Sequence, residues 1–207
     1  MDDIYLEFIN IEYKRNDASI FSGISFSLHE GEALLIEGCN GSGKTTFLKV
    51  ILGLYLISSG NILYKGSPLN KNKGLFYSDS LYIGHNTGVV EGLTVKENIK
   101  YFLLLSNTKF NDVKVESTLR LLNIFEYENT LASKLSQGQR YRILISRLLL
   151  CPAKVWILDE PFTSLDKEGV SLLTNEINCH LTKGGIVIVT SHCIMNIQST
   201  RNIRLRL

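Results

Sequence analysis

The chain has 207 residues, with 22 lysines and arginines against 20 aspartates and glutamates, so its net charge is only +2. This length fits one domain with a sizeable hydrophobic core, and the near balance of charge gives no overall field that would attract nucleic acid. The four cysteines show neither zinc-ligand nor C-x-x-C spacing. We therefore expect a single domain in a reducing compartment, with no nucleic acid among its partners.

The N-terminal segment and the apolar runs of the chain predict neither export nor membrane insertion. The N-terminal segment is acidic where a secretory signal would need basic residues. No apolar run approaches the roughly 20 residues that cross a bilayer. We expect a chain that is not exported and does not span a membrane by itself.

The first predicted elements form a small antiparallel β layer. Segments 4–11 and 20–28 partly alternate between apolar and polar residues, as half-exposed strands do, and residues 60–64 have the composition of a further strand. We expect these strands to lie beside a second, more deeply buried sheet.

Three runs are apolar without alternation, namely Ala33 to Ile36, Val155 to Leu158 and Ile186 to Val189. Strands that are buried on both faces of a parallel sheet have this pattern. Small, polar or charged residues follow each run at once. Since ligands bind at the carboxyl ends of parallel strands, the sequence predicts one polar site at a single edge of this sheet.

The stretch between the first and second buried strands has a helical pattern. Thr94 and Glu97 form a capping box for a helix that runs to about Leu105, and Val115 and Leu119 recur at helical spacing. We interpret the chain as one α/β domain, residues 1–207. Its β layer and core sheet occupy 1–85 and 152–207, and a helical lobe of about 86–151 is inserted between them.

A glycine-rich loop follows the first buried strand and fits G-x-x-x-x-G-K-[ST] between strand and helix. Its backbone N–H groups would surround a phosphate at the helix N-terminus. We expect Lys44 to reach the β- and γ-phosphates of ATP and Thr45 to bind Mg²⁺. The predicted nucleotide contacts of this loop are Gly38, Asn40, Gly41, Ser42, Gly43, Lys44, Thr45 and Thr46.

Two carboxylates and a histidine end the other buried strands. We expect Asp159 to hold the shell of Mg²⁺ and Glu160 to act as the general base for water, with the two side chains diverging at the strand end. His192 would contact the γ-phosphate. The alternatives are a solvated acidic strand end and a structural histidine, but a phosphate loop at the same edge favours catalytic roles for Lys44, Glu160 and His192.

The segment Leu135-Ser136-Gln137-Gly138-Gln139-Arg140 opens another predicted helix with a capping box between Ser136 and Gln139. Here the chain resembles the ATP-binding-cassette ATPases, whose signature is LSGGQ. The phosphate loop, this signature, the Asp159-Glu160 pair, a D-loop ending at Asp166 and His192 follow in the family's order. The resemblance implies a P-loop NTPase fold with a RecA-like core.

The same resemblance implies a head-to-tail dimer that encloses two ATP molecules. Ser136, Gly138 and Gln139 of one copy would contact the γ-phosphate held by the other, and Asp166 would lie at the same nucleotide. Gln137 replaces the first glycine of the signature doublet, which we expect to be tolerated. His85 stands where most of these ATPases have a glutamine, and we expect it to contact the Mg²⁺ shell.

That histidine and its neighbours, Leu81 to Gly88, are similar to the CcmA family, the ATP-binding subunit of the haem exporter of cytochrome c maturation. Similar segments are Leu28 to Thr46, Trp156 to Thr163 and Gly184 to Val189. The resemblance implies haem as cargo, CcmB-like and CcmC-like membrane partners, and a peripheral position on the cytoplasmic face of the inner membrane. An exporter of another substrate and a non-transport ATPase of this type are the alternatives.

The residue that stacks on adenine is not determined by the motifs. Tyr13 is the candidate, although a shift of two residues would place Arg15 there instead.

Rival functions fit less well. A DNA-repair ATPase of this type needs long coiled coils, and the sequence before Ser136 has no heptads that would form them. A small-molecule kinase would lack the signature.

Overall fold

The computed structural model describes residues 4–84, 88–191, 197 and 202–206. The predicted antiparallel layer is present among them as a sheet with the strand order β2-β1-β4-β5. Its strands are β1 (Ile4–Arg15), β2 (Ala18–His29), β4 (Ser59–Tyr64) and β5 (Ser67–Pro68). Gly60 allows β4 to lie close to β1, because a Cβ there would be 2.4 Å from the carbonyl oxygens of Ile9 and Asn10.

The core sheet is parallel, with the order β6-β7-β8-β3-β9 within the described residues. The three predicted buried strands are confirmed, and β6 and β9 add one strand to each edge. The strands are β3 (Ala33–Glu37), β6 (Ser80–Ile83), β7 (Val155–Asp159), β8 (Ile186–Ser191) and β9 (Asn202–Arg206).

Both faces of the core sheet are covered, which explains why its strands do not alternate in sequence. Leu34 and Ile36 belong to the cluster shared with the antiparallel layer, whereas Ala33 and Leu35 belong to the cluster shared with the helices of the inserted lobe. Neighbouring residues of one strand therefore enter two separate apolar clusters. The α/β fold predicted from the sequence is confirmed.

The α-helices lie between these strands in the chain. They are α1 (Lys44–Ile51), α2 (Lys73–Asp79), α3 (Val95–Leu105), α4 (Asp112–Leu121), α5 (Gln137–Leu150) and α6 (Lys167–Thr182). Short 3₁₀ turns occupy Leu69–Lys71, Phe125–Tyr127 and Ala132–Lys134. Among the helices of the described ranges, none has both the length and the apolar composition needed to cross a bilayer.

The predicted capping boxes are confirmed at both helices. Thr94 and Glu97 exchange side-chain and backbone hydrogen bonds at the start of α3, and Ser136 and Gln139 do so at the start of α5. Helices α3, α4 and α5 lie between β6 and β7 in the chain, as expected of the inserted lobe. The limits proposed for that lobe stay predictions.

A histidine is stacked inside the fold at the amino end of the core sheet. The His180 ring lies parallel to the Trp156 indole at a centroid distance of 3.9 Å, and its Nε2 lies 3.1 Å from the carbonyl oxygen of Lys154. Burial, with the nearby charges of Lys154 and Lys183 adding to it, lowers the pKa of His180 to about 4. The folded chain therefore holds this imidazole neutral at pH 7.

This histidine predicts a loss of stability in acid. Its pKa in the unfolded chain is about 6.5, so above that pH neither state binds the proton and the contribution to stability is complete. As the pH falls from about 6.5 to 4, His180 binds a proton in the unfolded chain but not in the folded chain. The free energy of unfolding therefore decreases. Urea denaturation across this pH range measures the effect.

His180→Phe is the informative variant, because it keeps an aromatic ring on Trp156 and removes the titrating group. We expect its free energy of unfolding to depend less steeply on pH than that of the wild type between pH 6.5 and 4. Equal slopes for the two proteins would show that folding does not lower the pKa of His180.

Candidate functional site

A cavity of about 670 Å³ opens at the carboxyl ends of β3 and β7. Of the three segments predicted to converge at this edge, the phosphate loop and the Asp159-Glu160 pair line the cavity. The cavity is lined by Arg15, Ile20, Asn40, Gly41, Gly43, Lys44, Thr45, Thr46, Asp159, Glu160 and Thr163.

The loop between β3 and α1 presents donors suited to an anion. Gly43 precedes the helix with φ 108° and no side-chain cap, and a Cβ on it would lie 2.9 Å from Ile20 Cγ2, so only glycine fits without strain. The first turn of α1 carries no acidic residue. The Ser42 hydroxyl is buried without a hydrogen-bond partner in the described part of the chain. A phosphate oxygen would accept from these groups.

Lys44 is 6% exposed and its ammonium contacts three oxygens. It donates to the carbonyl oxygens of Gly38 at 2.7 Å and Cys39 at 3.1 Å, and its Nζ lies 3.1 Å from Oε1 of Glu160. The predicted phosphate lysine and the predicted general base therefore form an ion pair. A phosphate that approaches Lys44 must compete with this carboxylate.

Asp159 ends β7 and is 3% exposed. Its Oδ2 accepts a hydrogen bond of 2.8 Å from Thr45 Oγ1, and its Oδ1 accepts one of 2.8 Å from Thr190 Oγ1. Two of the three residues predicted for the metal site, Thr45 and Asp159, thus lie together at the edge of the cavity. Hydroxyl and carboxylate oxygens are ligands that Mg²⁺ prefers, directly or through water, so the residues present fit this cation.

The two carboxylates are not neighbouring residues of one strand, as their predicted divergence assumed. Asp159 is the last residue of β7, and Glu160 lies beyond it with φ 51°, in the left-handed region. Strand alternation does not apply to a residue in that conformation. Both side chains face the same cavity, where Glu160 reaches Lys44.

Tyr13 does not line the cavity, and Arg15 does. The Tyr13 ring stacks against Tyr55 at 5.6 Å and against Phe21 at 5.7 Å. Arg15 lies at the tip of the β1–β2 hairpin, opposite Ala18 and near Ile20 in the chain. Of the two alternatives weighed for adenine, Arg15 is the better placed, and the stacking itself stays a prediction.

The signature residues do not line this cavity. Ser136 is exposed at the start of α5, and Gly138 and Gln139 follow in its first turn. Gln137, which replaces a family glycine, donates from Nε2 to Ser164 Oγ at 3.3 Å. A signature that is separate from its own chain's cavity is compatible with contact to a second copy, which stays a prediction.

Asp166 has two partners within its own chain, and its expected place at a nucleotide between two copies stays a prediction. Its side chain caps α6 by accepting from the Gly169 N–H at 2.8 Å, and both its oxygens accept from Arg142 Nη2 at 3.0 Å. The Gly169 hydrogen bond, with the Arg142 charge, lowers the pKa of Asp166. Within the chain this carboxylate joins the signature helix to α6 instead of lining the cavity. No sequence motif indicated the part played by Arg142.

His85 and His192 lie outside the described residues. Their predicted contacts to the metal shell and the γ-phosphate stay predictions. Of the residues named from the sequence, the structure brings together the loop residues, Asp159 and Glu160.

The model of the ABC transporter family matches residues 21–163. The chain belongs to the ABC transporter family. Its strand–loop–helix phosphate site, signature and paired carboxylates are therefore this family's motifs in their expected order.

Curated relatives give a narrower assignment within the ABC family. The chain is 37% identical over 202 residues to the cytochrome c biogenesis ATP-binding export protein CcmA of Aliivibrio fischeri, covering 98% of both chains. It is 39% identical over 190 residues to the protein of that name from Shewanella frigidimarina, covering 92% of this chain and 87% of that one. The resemblance to CcmA proteins is confirmed.

Solved structures agree with the fold. A putative ABC transporter ATP-binding protein from Pyrococcus furiosus superposes with a TM-score of 0.82 at 25% identity, covering 97% of this chain and 96% of that one. The ATP-binding subunit of another ABC transporter superposes with a TM-score of 0.76 at 25% identity, covering 90% and 79% of the two chains.

The Lys44–Glu160 ion pair predicts the effect of removing one charge. Glu160→Gln should raise the affinity for ATP in the absence of divalent cations by about tenfold, because phosphate no longer competes with a carboxylate for Lys44. Titration with a fluorescent ATP analogue in EDTA measures this without hydrolysis.

Glu116→Gln is the matched control, since it breaks the surface pair of Glu116 with Arg120 at 2.7 Å on α4. We expect it to leave nucleotide affinity unchanged. If Glu160→Gln bound metal-free ATP no better than this control, the carboxylate would not compete with phosphate.

Proposed function

We propose that this ABC protein is the ATP-hydrolysing subunit of an exporter for cytochrome c biogenesis, with haem as the cargo. The observation that carries the proposal is the cavity in which Lys44, Thr45, Asp159 and Glu160 meet, in a chain that matches curated CcmA proteins over almost its whole length. Lys44 and the N-terminus of α1 are the groups that bind phosphate.

The roles of the individual residues follow from their positions. Thr45 and Asp159 would hold Mg²⁺, which neutralises charge that develops on the phosphates. Glu160 would accept a proton from the attacking water, but only after its carboxylate has left Lys44. Phosphate binding to Lys44 would release it. Binding and activation of the base are therefore linked in one contact.

Two copies would enclose the nucleotides head to tail. The N-terminus of α5 is exposed at Ser136. The capping box takes up the N–H groups of Ser136 and Gln139, and those of Gln137 and Gly138 would suit the terminal phosphate of a nucleotide on a second copy. ATP would stabilise the closed pair and ADP would not, so hydrolysis reopens it. Membrane subunits similar to CcmB and CcmC would follow this change from the cytoplasmic face of the inner membrane.

Isolation of the tagged chain from membranes of its native cells tests the proposal. We expect it to retain an integral membrane protein and haem, and to hydrolyse ATP. Lys44→Ala should lose ATP hydrolysis by more than about 100-fold yet still retain the membrane protein, because Lys44 is buried beneath the cavity and does not form the outer surface.

The outcomes separate the two parts of the proposal. An ATPase that retains an unrelated permease without haem would contradict the cargo and leave the enzyme intact. A wild-type chain that neither binds nor hydrolyses ATP would contradict the ATPase itself.

A further inference from the structure

We propose that Thr190 is a positioning residue of the ATPase site, which fixes both Asp159 and Glu160 through one buried hydroxyl. In the sequence it is the first polar residue after the buried run Ile186 to Val189. The inference rests on the proposed ATP-binding function and adds a residue that does not line the cavity.

The Thr190 side chain is fully buried at the end of β8, directly opposite Asp159 in the parallel ladder. Its Oγ1 accepts a hydrogen bond of 2.8 Å from the backbone N–H of Glu160 and donates one of 2.8 Å to Oδ1 of Asp159. The four preceding residues of β8 are aliphatic, and its two hydroxyl residues, Thr190 and Ser191, come at the carboxyl end of the strand. A buried hydroxyl costs free energy unless it is hydrogen-bonded.

The direction of these bonds is determined by chemistry. The Glu160 N–H can only donate, so the single hydroxyl proton of Thr190 is free for the Asp159 carboxylate, which can only accept. Oδ1 of Asp159 is then held by Thr190 and Oδ2 by Thr45. With both oxygens bound, the carboxylate has one orientation at the edge of the cavity.

The same hydroxyl holds the backbone of the proposed base. Glu160 has φ 51°, a left-handed conformation that is strained for a residue with a Cβ. The N–H bond to Thr190 stabilises that conformation, together with the hydrogen bonds that the Glu160 carbonyl oxygen accepts from Thr163. This turn of the backbone directs the carboxylate to Lys44.

A purely structural threonine would stabilise the fold without affecting metal-dependent binding. Residues that hold a metal ligand in place change metal affinity by about 10- to 100-fold when they are replaced. The two roles therefore differ in a measurable quantity, namely the gain in nucleotide affinity that Mg²⁺ produces.

The test compares Thr190→Val, which keeps the shape and removes the hydroxyl, with Thr190→Ser, which keeps the hydroxyl. ADP affinity is measured in EDTA and in Mg²⁺, and Mn²⁺ binding in the presence of ADP is followed by electron paramagnetic resonance. We expect Thr190→Val to bind ADP in EDTA within about twofold of the wild type. Its Mg²⁺-dependent gain and its Mn²⁺ affinity should fall by about tenfold or more, and Thr190→Ser should recover most of both.

Thr174→Val is the matched control, because it removes a threonine hydroxyl that bonds to the Val170 carbonyl oxygen within α6. We expect it to leave the Mg²⁺-dependent gain unchanged. The free energy of unfolding, measured for each variant, separates a stability effect from a metal effect. If Thr190→Val does not fold, Thr190→Ala replaces it in the same comparison with serine.

The proposal is overturned if Thr190→Val keeps the wild-type gain in ADP affinity on addition of Mg²⁺. It is also overturned if Thr190→Ser loses as much of that gain as Thr190→Val does. A wild-type chain that binds no nucleotide in either buffer would instead contradict the proposed function. The two failures are therefore distinguishable.

Discussion

The burial of the core sheet on both faces is the constraint from which the site follows. Strands that lie between two apolar clusters cannot carry polar side chains along their length, because a buried polar group without a partner is costly. Charged and hydroxyl residues are therefore confined to the strand ends, where β3, β7 and β8 terminate side by side. The same packing that stabilises the fold concentrates reactive groups at one edge.

Much of this arrangement could be predicted from the sequence, because its signals are local. The aliphatic run 186–189 indicated a fully buried strand, and the spacing of Ser136 and Gln139 indicated a helix start. Strands β6 and β9 were not predicted. Residues 80–83 form a strand too short to show a period, and its existence depends on pairing with β7, which the sequence does not reveal.

The features of the site that the sequence did not reveal are backbone turns and side-chain contacts between distant segments. The backbone of Glu160 turns out of strand geometry, so its ion pair with Lys44 could not be inferred from alternation. Tyr13 was preferred for its aromatic ring, but Tyr55 and Phe21 occupy its neighbourhood. In the sequence, Asp166 was interpreted only as a D-loop residue near a nucleotide, so the cap that its side chain forms on α6 was not predicted.

The link between Arg142 and Asp166 has a mechanical consequence. It joins Arg142 of the signature helix α5 to Asp166 at the start of α6, and Gln137 of α5 contacts Ser164 in the loop between β7 and α6. Glu160 is the first residue of that loop, directly after β7. A tilt of α5 imposed from outside the subunit would strain these contacts and shift the loop, so the position of Glu160, the proposed base, is sensitive to forces on the signature helix of the same subunit.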